Sequence, residues 1–206
     1  MGYVPVSTDV VAPPGGATRD PVKRRSLSGR DLLVWTATLL AFPLAGLAGR
    51  AVAGPVDAIW TAVLAGAVAG LVLGVAQWLA LRRIGVDARW IAATAAGFAV
   101  GLCLAYAISG YGDTAGDLAV VGAVSGLGIG VAQWWLLREF VNGSLAWIPA
   151  TSAAWALGWT VTTRIGVDPD DRWANPGLSG ALTITVLLGA VLWMLGRSGL
   201  RDRTPA

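Results

Sequence analysis

The sequence has no histidine, one cysteine and few charged residues among its 206 positions. Histidine is the most frequent general acid–base and the commonest metal ligand, so its absence removes the usual basis for both functions. Cys103 is alone in an apolar run and cannot form an internal disulfide or a cysteine metal cluster. No nucleophile–base pair or phosphate loop appears either. We therefore expect that the protein is not an enzyme and binds neither a metal nor a cofactor.

Apolar residues are abundant instead. Hydrophobic residues make up 55% of the chain and charged residues 13%, against about 25% charged in an average soluble domain. The mean hydropathy is +0.65. A soluble core cannot bury so much apolar surface, so the composition predicts an all-α, multi-pass membrane protein whose main partner is the lipid bilayer. The charges lie at the edges of apolar runs, which argues against a nucleic-acid partner.

Six apolar stretches each approach the length that a helix needs to cross a bilayer, about 20 residues. We predict spans at 32–53, 58–81, 90–109, 118–137, 147–163 and 178–195. They form one transmembrane domain over residues 31–197, between a disordered tail at 1–30 and a short tail at 198–206. Short connections predict that consecutive helices are antiparallel neighbours.

The distribution of positive charge predicts the orientation. Twelve of the 15 Lys and Arg residues lie in the N-terminal tail, in the connections after the second and fourth spans, or from Arg197 onward. The other side carries only Arg50, Arg164 and Arg172. The positive-inside rule then places both termini in the cytoplasm, and we expect a bacterial cytoplasmic membrane.

The sequence repeats itself. The glycines at 66, 70 and 74 precede Val-Ala-Gln-Trp, and the same pattern recurs 56 residues later with glycines at 122, 126 and 130. The next helices match through Trp90 and Thr94 against Trp147 and Thr151, and a fainter copy includes Gly189. We predict three tandem parallel helical hairpins, at about 31–83, 89–139 and 146–197. The pattern resembles that of bacterial multi-pass membrane proteins with repeated Gly-zipper and Gln-Trp helices, a resemblance that implies no activity.

The repeated glycines predict helix packing. Small residues four apart form one helix face and let two backbones approach closely in lipid. The predicted packing positions are Gly66, Gly70, Gly74, Gly122, Gly126, Gly130 and Gly189. An alternative is that these faces surround a pore or join copies of the chain.

Two glutamines lie at equivalent places in the repeat. Gln77 and Gln133 are five residues before Arg82 and Arg138, and Thr94 and Thr151 lie at the same depth on the following helices. We predict interhelical hydrogen bonds from Gln77 to Thr94 and from Gln133 to Thr151. The alternative is that these side chains bind a solute.

Eleven tryptophans predict aromatic belts at the two membrane interfaces. Seven lie near the predicted cytoplasmic edge, among them Trp35, Trp90 and Trp147, and Trp159 lies near the other. Pro43, within the first span, predicts a kink.

Charges at the ends of spans predict an ion-pair cluster on the side opposite the termini, or an anion-binding vestibule. Its candidate members are Arg50, Arg164, Asp57, Asp117 and Asp168.

Two functions remain open. The first is a structural or accessory membrane protein that acts through helix–helix or partner contacts, including contacts with its own copies. The second is a small transporter or channel for a neutral or weakly anionic solute, which requires a polar cavity at the level of Gln77 and Gln133. A closed, glycine-packed centre favours the first.

Overall fold

The computed structural model describes residues 28–165 and 173–197, and within them the protein is α-helical without a strand. The predicted tails lie outside these ranges, except for residues 28–30. The helices are α1 Gly29–Ala37, α2 Ala41–Ala53, α3 Ile59–Leu81, α4 Arg89–Ser109, α5 Ala115–Leu137, α6 Trp147–Ile165 and α7 Leu178–Arg197.

The first span departs from a regular α-helix just before Pro43, the residue for which a kink is predicted. A 3-10 segment, Thr38–Leu40, joins α1 to α2. Pro43 follows it closely, and a proline has no N–H to donate to the preceding turn. The span continues on both sides of this segment and covers Gly29–Ala53.

Five of the described helical segments are long and apolar enough to cross a membrane: Gly29–Ala53, Ile59–Ile84, Arg89–Ser109, Ala115–Leu137 and Leu178–Arg197. This composition is that of a multi-pass membrane protein. The helix α6 is not one of the five, although its 19 residues occupy the predicted fifth span. Three tryptophans and four threonines lower its hydropathy, and the tryptophans are buried inside the bundle.

From α2 onward, helices that are consecutive in the chain pack against each other, and α1 also packs against α7. The indole nitrogen of Trp35 donates to the carbonyl oxygen of Thr185 at 2.9 Å, which joins α1 to α7. Near the other end of the bundle, the side-chain amide of Asn175 donates to the carbonyl of Phe42 at 2.9 Å. We call the end with the 82–88 and 138–146 connections the basic end, and the end with the 54–58 and 110–114 connections the opposite end.

Glycines bring neighbouring helices into backbone contact. A Cβ added at Gly70 would lie 2.6 Å from the Cα of Ala95 on α4, and one at Gly126 would lie 2.6 Å from the carbonyl oxygen of Thr151 on α6. Separations this short are sterically forbidden, so only glycine fits at these two positions. The flanking positions Gly66, Gly74, Gly122 and Gly130 face the same partner helices at 2.5 to 3.1 Å.

Aromatic side chains fill the centre of the bundle in two levels. Near the basic end, Trp147 contacts Trp35 and Trp90, with ring centroids 6.3 and 6.4 Å apart. Further from that end, Trp155 contacts Phe42 and Phe98 at 5.8 and 4.9 Å. Every one of these six side chains is at most 2% exposed.

The prediction of interfacial belts is therefore wrong for several tryptophans. Trp35, Trp90, Trp147 and Trp159 are buried in the protein rather than placed against lipid headgroups. Depth along a helix does not determine the direction in which a side chain points. Other tryptophans do face outward, with Trp60 65% and Trp135 57% exposed.

Candidate functional site

A buried network of polar side chains lies near the basic end. The carbonyl oxygen of Gln77 accepts hydrogen bonds from the indole of Trp90 at 3.1 Å and from the amide of Gln133 at 2.9 Å. The carbonyl oxygen of Gln133 accepts from the indole of Trp147 at 2.9 Å. Because both glutamines and both tryptophans are at most 6% exposed, these bonds replace the water that the groups have lost.

The threonines join this network differently from the prediction. The Gln133 amide donates to the Thr94 hydroxyl at 2.9 Å, so Thr94 is paired with the glutamine of its own predicted hairpin rather than with Gln77. The hydroxyl of Thr151 donates to the Trp147 carbonyl in its own helix at 2.8 Å, and Gln133 bonds to the Trp147 indole instead.

The chemistry of the donors explains this pairing. A threonine in a helix can donate to the carbonyl four residues earlier, and Thr94 does so to Trp90 at 2.8 Å. An indole N–H has no such local acceptor and must find one elsewhere when it is buried. The glutamine carbonyls therefore accept from Trp90 and Trp147, which the depth argument alone did not reveal.

On α7, in the last hairpin, a buried indole finds its acceptor without a glutamine. Leu192 stands at the position equivalent to the two glutamines and is buried. The indole of Trp35 donates to the backbone carbonyl of Thr185 instead. A Cβ at Gly189 would lie 3.0 Å from the Trp35 ring, so the missing side chain gives the ring room beside α7.

Four of the five candidate charged residues at the opposite end lie within the described residues. The carboxylate of Asp117 accepts from the Thr114 hydroxyl at 2.6 Å and caps the start of α5. The guanidinium carbon of Arg50 lies 5.3 Å from the centre of the Trp173 ring, a cation–π arrangement. Asp57 and Arg164 are exposed. Asp168 lies outside the described residues.

The opposite end also contains a cavity of about 370 Å³. Side chains from α2, α4, α5 and α6 line it, together with the segment that precedes α7. Its walls are mostly apolar, and they include Trp159, Tyr111 and Asn175. Sequence reasoning did not find this site because its residues come from six separate parts of the chain without a shared motif. We call it the outer cavity.

The described residues contain no group of three His, Cys, Asp or Glu side chains that could hold a metal ion. No family model matches the sequence, and neither a curated protein nor a solved structure is detectably similar to it.

Proposed function

We propose that this protein is a non-enzymatic component of the bacterial cytoplasmic membrane that acts through helix–helix or partner contacts. The observation that carries this proposal is the closed network around Gln133. Its amide and its carbonyl are bonded within the protein, and the side chain is 1% exposed. Because these groups are already bonded within the protein, they support a role of the network in holding the helices together rather than in binding a solute.

The proposal includes six spans arranged as three parallel hairpins, with both termini in the cytoplasm. Equivalent residues of the sequence repeat make equivalent contacts, which supports this arrangement. The indole of Trp90 bonds to Gln77 as that of Trp147 bonds to Gln133. The orientation follows from the excess of Lys and Arg at the basic end.

Transport through the centre of the bundle is the alternative function. A solute on that path would have to pass both aromatic levels and separate the Gln77–Gln133 bond. Both levels consist of side chains that are almost completely buried. The alternative therefore requires a second conformation, and the closed centre favours the accessory role.

The absence of transport can be tested with purified full-length protein in proteoliposomes. Stopped-flow light scattering would measure the permeability to glycerol, as a neutral solute, and to acetate, as a weak anion. For both solutes, we expect the permeability to equal that of liposomes without protein. A saturable flux that the Gln133→Leu variant abolishes would overturn the proposal and establish the transporter.

The contact role has its own test. Native mass spectrometry of protein extracted from its own membrane in a mild detergent should show this chain bound to a further polypeptide or to a second copy. A mass that corresponds to one chain and lipid alone, in every mild detergent tried, would contradict a role in partner contacts.

A further inference from the structure

We propose that the outer cavity binds a neutral, mainly apolar molecule that carries a hydroxyl or amide group and enters from the lipid. This inference goes beyond the proposed function, which depends on the network at the other end of the bundle. It starts from the volume. An apolar cavity of about 150 Å³ holds benzene, so by proportion 370 Å³ has room for roughly 15 non-hydrogen atoms.

Some buried polar atoms of the residues that line this cavity have no partner among the described residues. Among the described residues, six buried side-chain polar atoms have no hydrogen-bond partner. Three of the six belong to residues that line this one cavity, namely Tyr111, Trp159 and Asn175. Buried polar groups are normally bonded, so a concentration of exceptions in one cavity indicates a missing partner.

Trp159 supplies a donor. Its side chain is 4% exposed, and its indole nitrogen has no partner among the described residues. The ring is held in place because it lies against Gly122, where an added Cβ would be 2.7 Å from its Cδ1 atom. Trp35, Trp90 and Trp147 all have a bonded indole N–H. Trp159 differs from them in lining a cavity.

Asn175 supplies an acceptor. Its amide nitrogen donates to the Phe42 carbonyl at 2.9 Å, which fixes the orientation of the amide group. Its amide oxygen has no partner in the described part of the chain, although the residue is only 5% exposed. The oxygen is packed closely against Gly46, since a Cβ added there would lie 2.9 Å from it.

Tyr111 is held in an unusual conformation at the same cavity. Its φ angle is +61°, a value that few residues other than glycine adopt. Its ring stacks on Tyr106 with centroids 5.0 Å apart, and its buried hydroxyl has no partner within the described residues. Non-glycine residues in this region concentrate at functional sites, and here the strained backbone places a third polar atom by the cavity.

These atoms define the chemistry of the molecule. An acceptor is needed for the Trp159 indole and a donor for the Asn175 oxygen, and a hydroxyl or an amide provides both. Asp113 is the only charged side chain among the described lining residues, so a negatively charged molecule is disfavoured. Leu47 on α2 and Leu178 on α7 also line the cavity and are 58% and 53% exposed on the surface of the bundle. Their exposure provides entry from the bilayer.

The test uses photolabelling of the full-length protein in lipid nanodiscs. The probe is decanol with a diazirine in the middle of its chain, and the matching probe without the hydroxyl is the diazirine derivative of decane. Mass spectrometry locates the label. We expect saturable labelling of peptides that contain outer-cavity residues, competition by unlabelled decanol, and labelling by the alkane that is weaker or not saturable.

The variant Trp159→Phe keeps an aromatic ring but removes the donor. We expect it to raise the alcohol concentration that gives half-maximal labelling about fivefold, the usual effect of one lost hydrogen bond. Trp60→Phe is the matched control, since Trp60 is 65% exposed at the same end of the bundle. If Trp159→Phe is unfolded by thermal melting, Val56→Phe provides the second test, because Val56 lines the cavity and a larger ring would fill it.

Three results would overturn the proposal. One is labelling that shows no saturation at the cavity, as expected if the cavity holds only water. Another is equal saturable labelling by the alcohol and the alkane, which would exclude recognition of the hydroxyl. The third is unchanged alcohol labelling in both folded Trp159→Phe and folded Val56→Phe.

Discussion

At the scale of single residues, the partners of the buried side chains follow from what each group can do within its own helix. Thr94 and Thr151 both donate to the carbonyl four residues earlier. The indoles of Trp90 and Trp147 have no such option, so they take the glutamine carbonyls. Gln133 bonds to three other side chains and is the centre of the network.

This arrangement predicts that Gln133 contributes more to stability than Gln77. Gln133→Leu removes three side-chain bonds and Gln77→Leu removes two, and each variant leaves one buried indole, that of Trp147 or of Trp90, without its acceptor. Interhelical hydrogen bonds in membranes average about 0.6 kcal/mol. We therefore expect Gln133→Leu to lower the free energy of unfolding by about 1–3 kcal/mol, and Gln77→Leu by less. Unfolding in mixed micelles would measure both.

A double-mutant cycle separates the observed pairing from the one that depth alone predicted. Gln133→Leu with Thr94→Val should show a coupling energy of about 0.6 kcal/mol. Gln77→Leu with Thr94→Val serves as the control, and its coupling should be smaller because the two side chains share no direct bond. A larger coupling in this control cycle would contradict the described network.

At the scale of the helices, glycine determines which pairs come into backbone contact. The α3–α4 and α5–α6 contacts form where Gly70 and Gly126 lack a side chain. Contact between α1 and α7 is of another kind, since the Trp35 ring occupies the space beside Gly189. A similar row of small residues can thus receive either a helix backbone or an aromatic ring, depending on what the facing helix presents.

Substitution of glycine by alanine distinguishes the two environments on one helix. A methyl group at Gly126 would meet the Thr151 carbonyl, whereas at Gly116 the space is open apart from the Thr114 hydroxyl 3.6 Å away. Overpacking costs about 1–3 kcal/mol, and alanine regains up to about 1 kcal/mol of helix propensity. Gly126→Ala should therefore lower the melting temperature, while Gly116→Ala should leave it unchanged or raise it. Equal melting temperatures would mean that Gly126 does not face a helix backbone.

At the scale of the whole molecule, the centre is closed near the basic end and open at the opposite end. Aromatic rings from α1, α2, α4 and α6 fill the centre, and the outer cavity begins where Phe42 ends their second level. Long apolar side chains remain on the outside, such as Leu33 at 73% and Ile108 at 67% exposed. This distribution suits a bundle surrounded by lipid, with its polar bonds inside.

The orientation of the bundle can be tested with single cysteines in a Cys103→Ala background. Ala88 and Asp113 are both exposed and lie at the basic and opposite ends. With the basic end in the cytoplasm, a membrane-impermeant maleimide added to spheroplasts should label Asp113→Cys and not Ala88→Cys. Labelling of both after cell lysis is the control. The reverse pattern in intact spheroplasts would place the termini outside.

The sequence alone determined the class of protein and the positions of its helices. Mean hydropathy and the lengths of the apolar stretches predicted helices that the structure contains, with bounds that differ by a few residues, because a backbone in lipid must satisfy its hydrogen bonds internally. The glycine spacing likewise predicted close approach, since i and i+4 positions share one helix face. These are properties of single helices, which a local pattern can specify.

Only the tertiary structure decided what faces the centre. The rotation of each helix determines whether a tryptophan such as Trp90 points to lipid or to Gln77, and a position along the helix axis does not contain that information. The outer cavity depends in the same way on how α2 and α6 meet the segment around Asn175. Contacts between distant parts of the chain formed both features, and the physical reason is that buried indoles and amides take whichever partners the packed helices bring within reach.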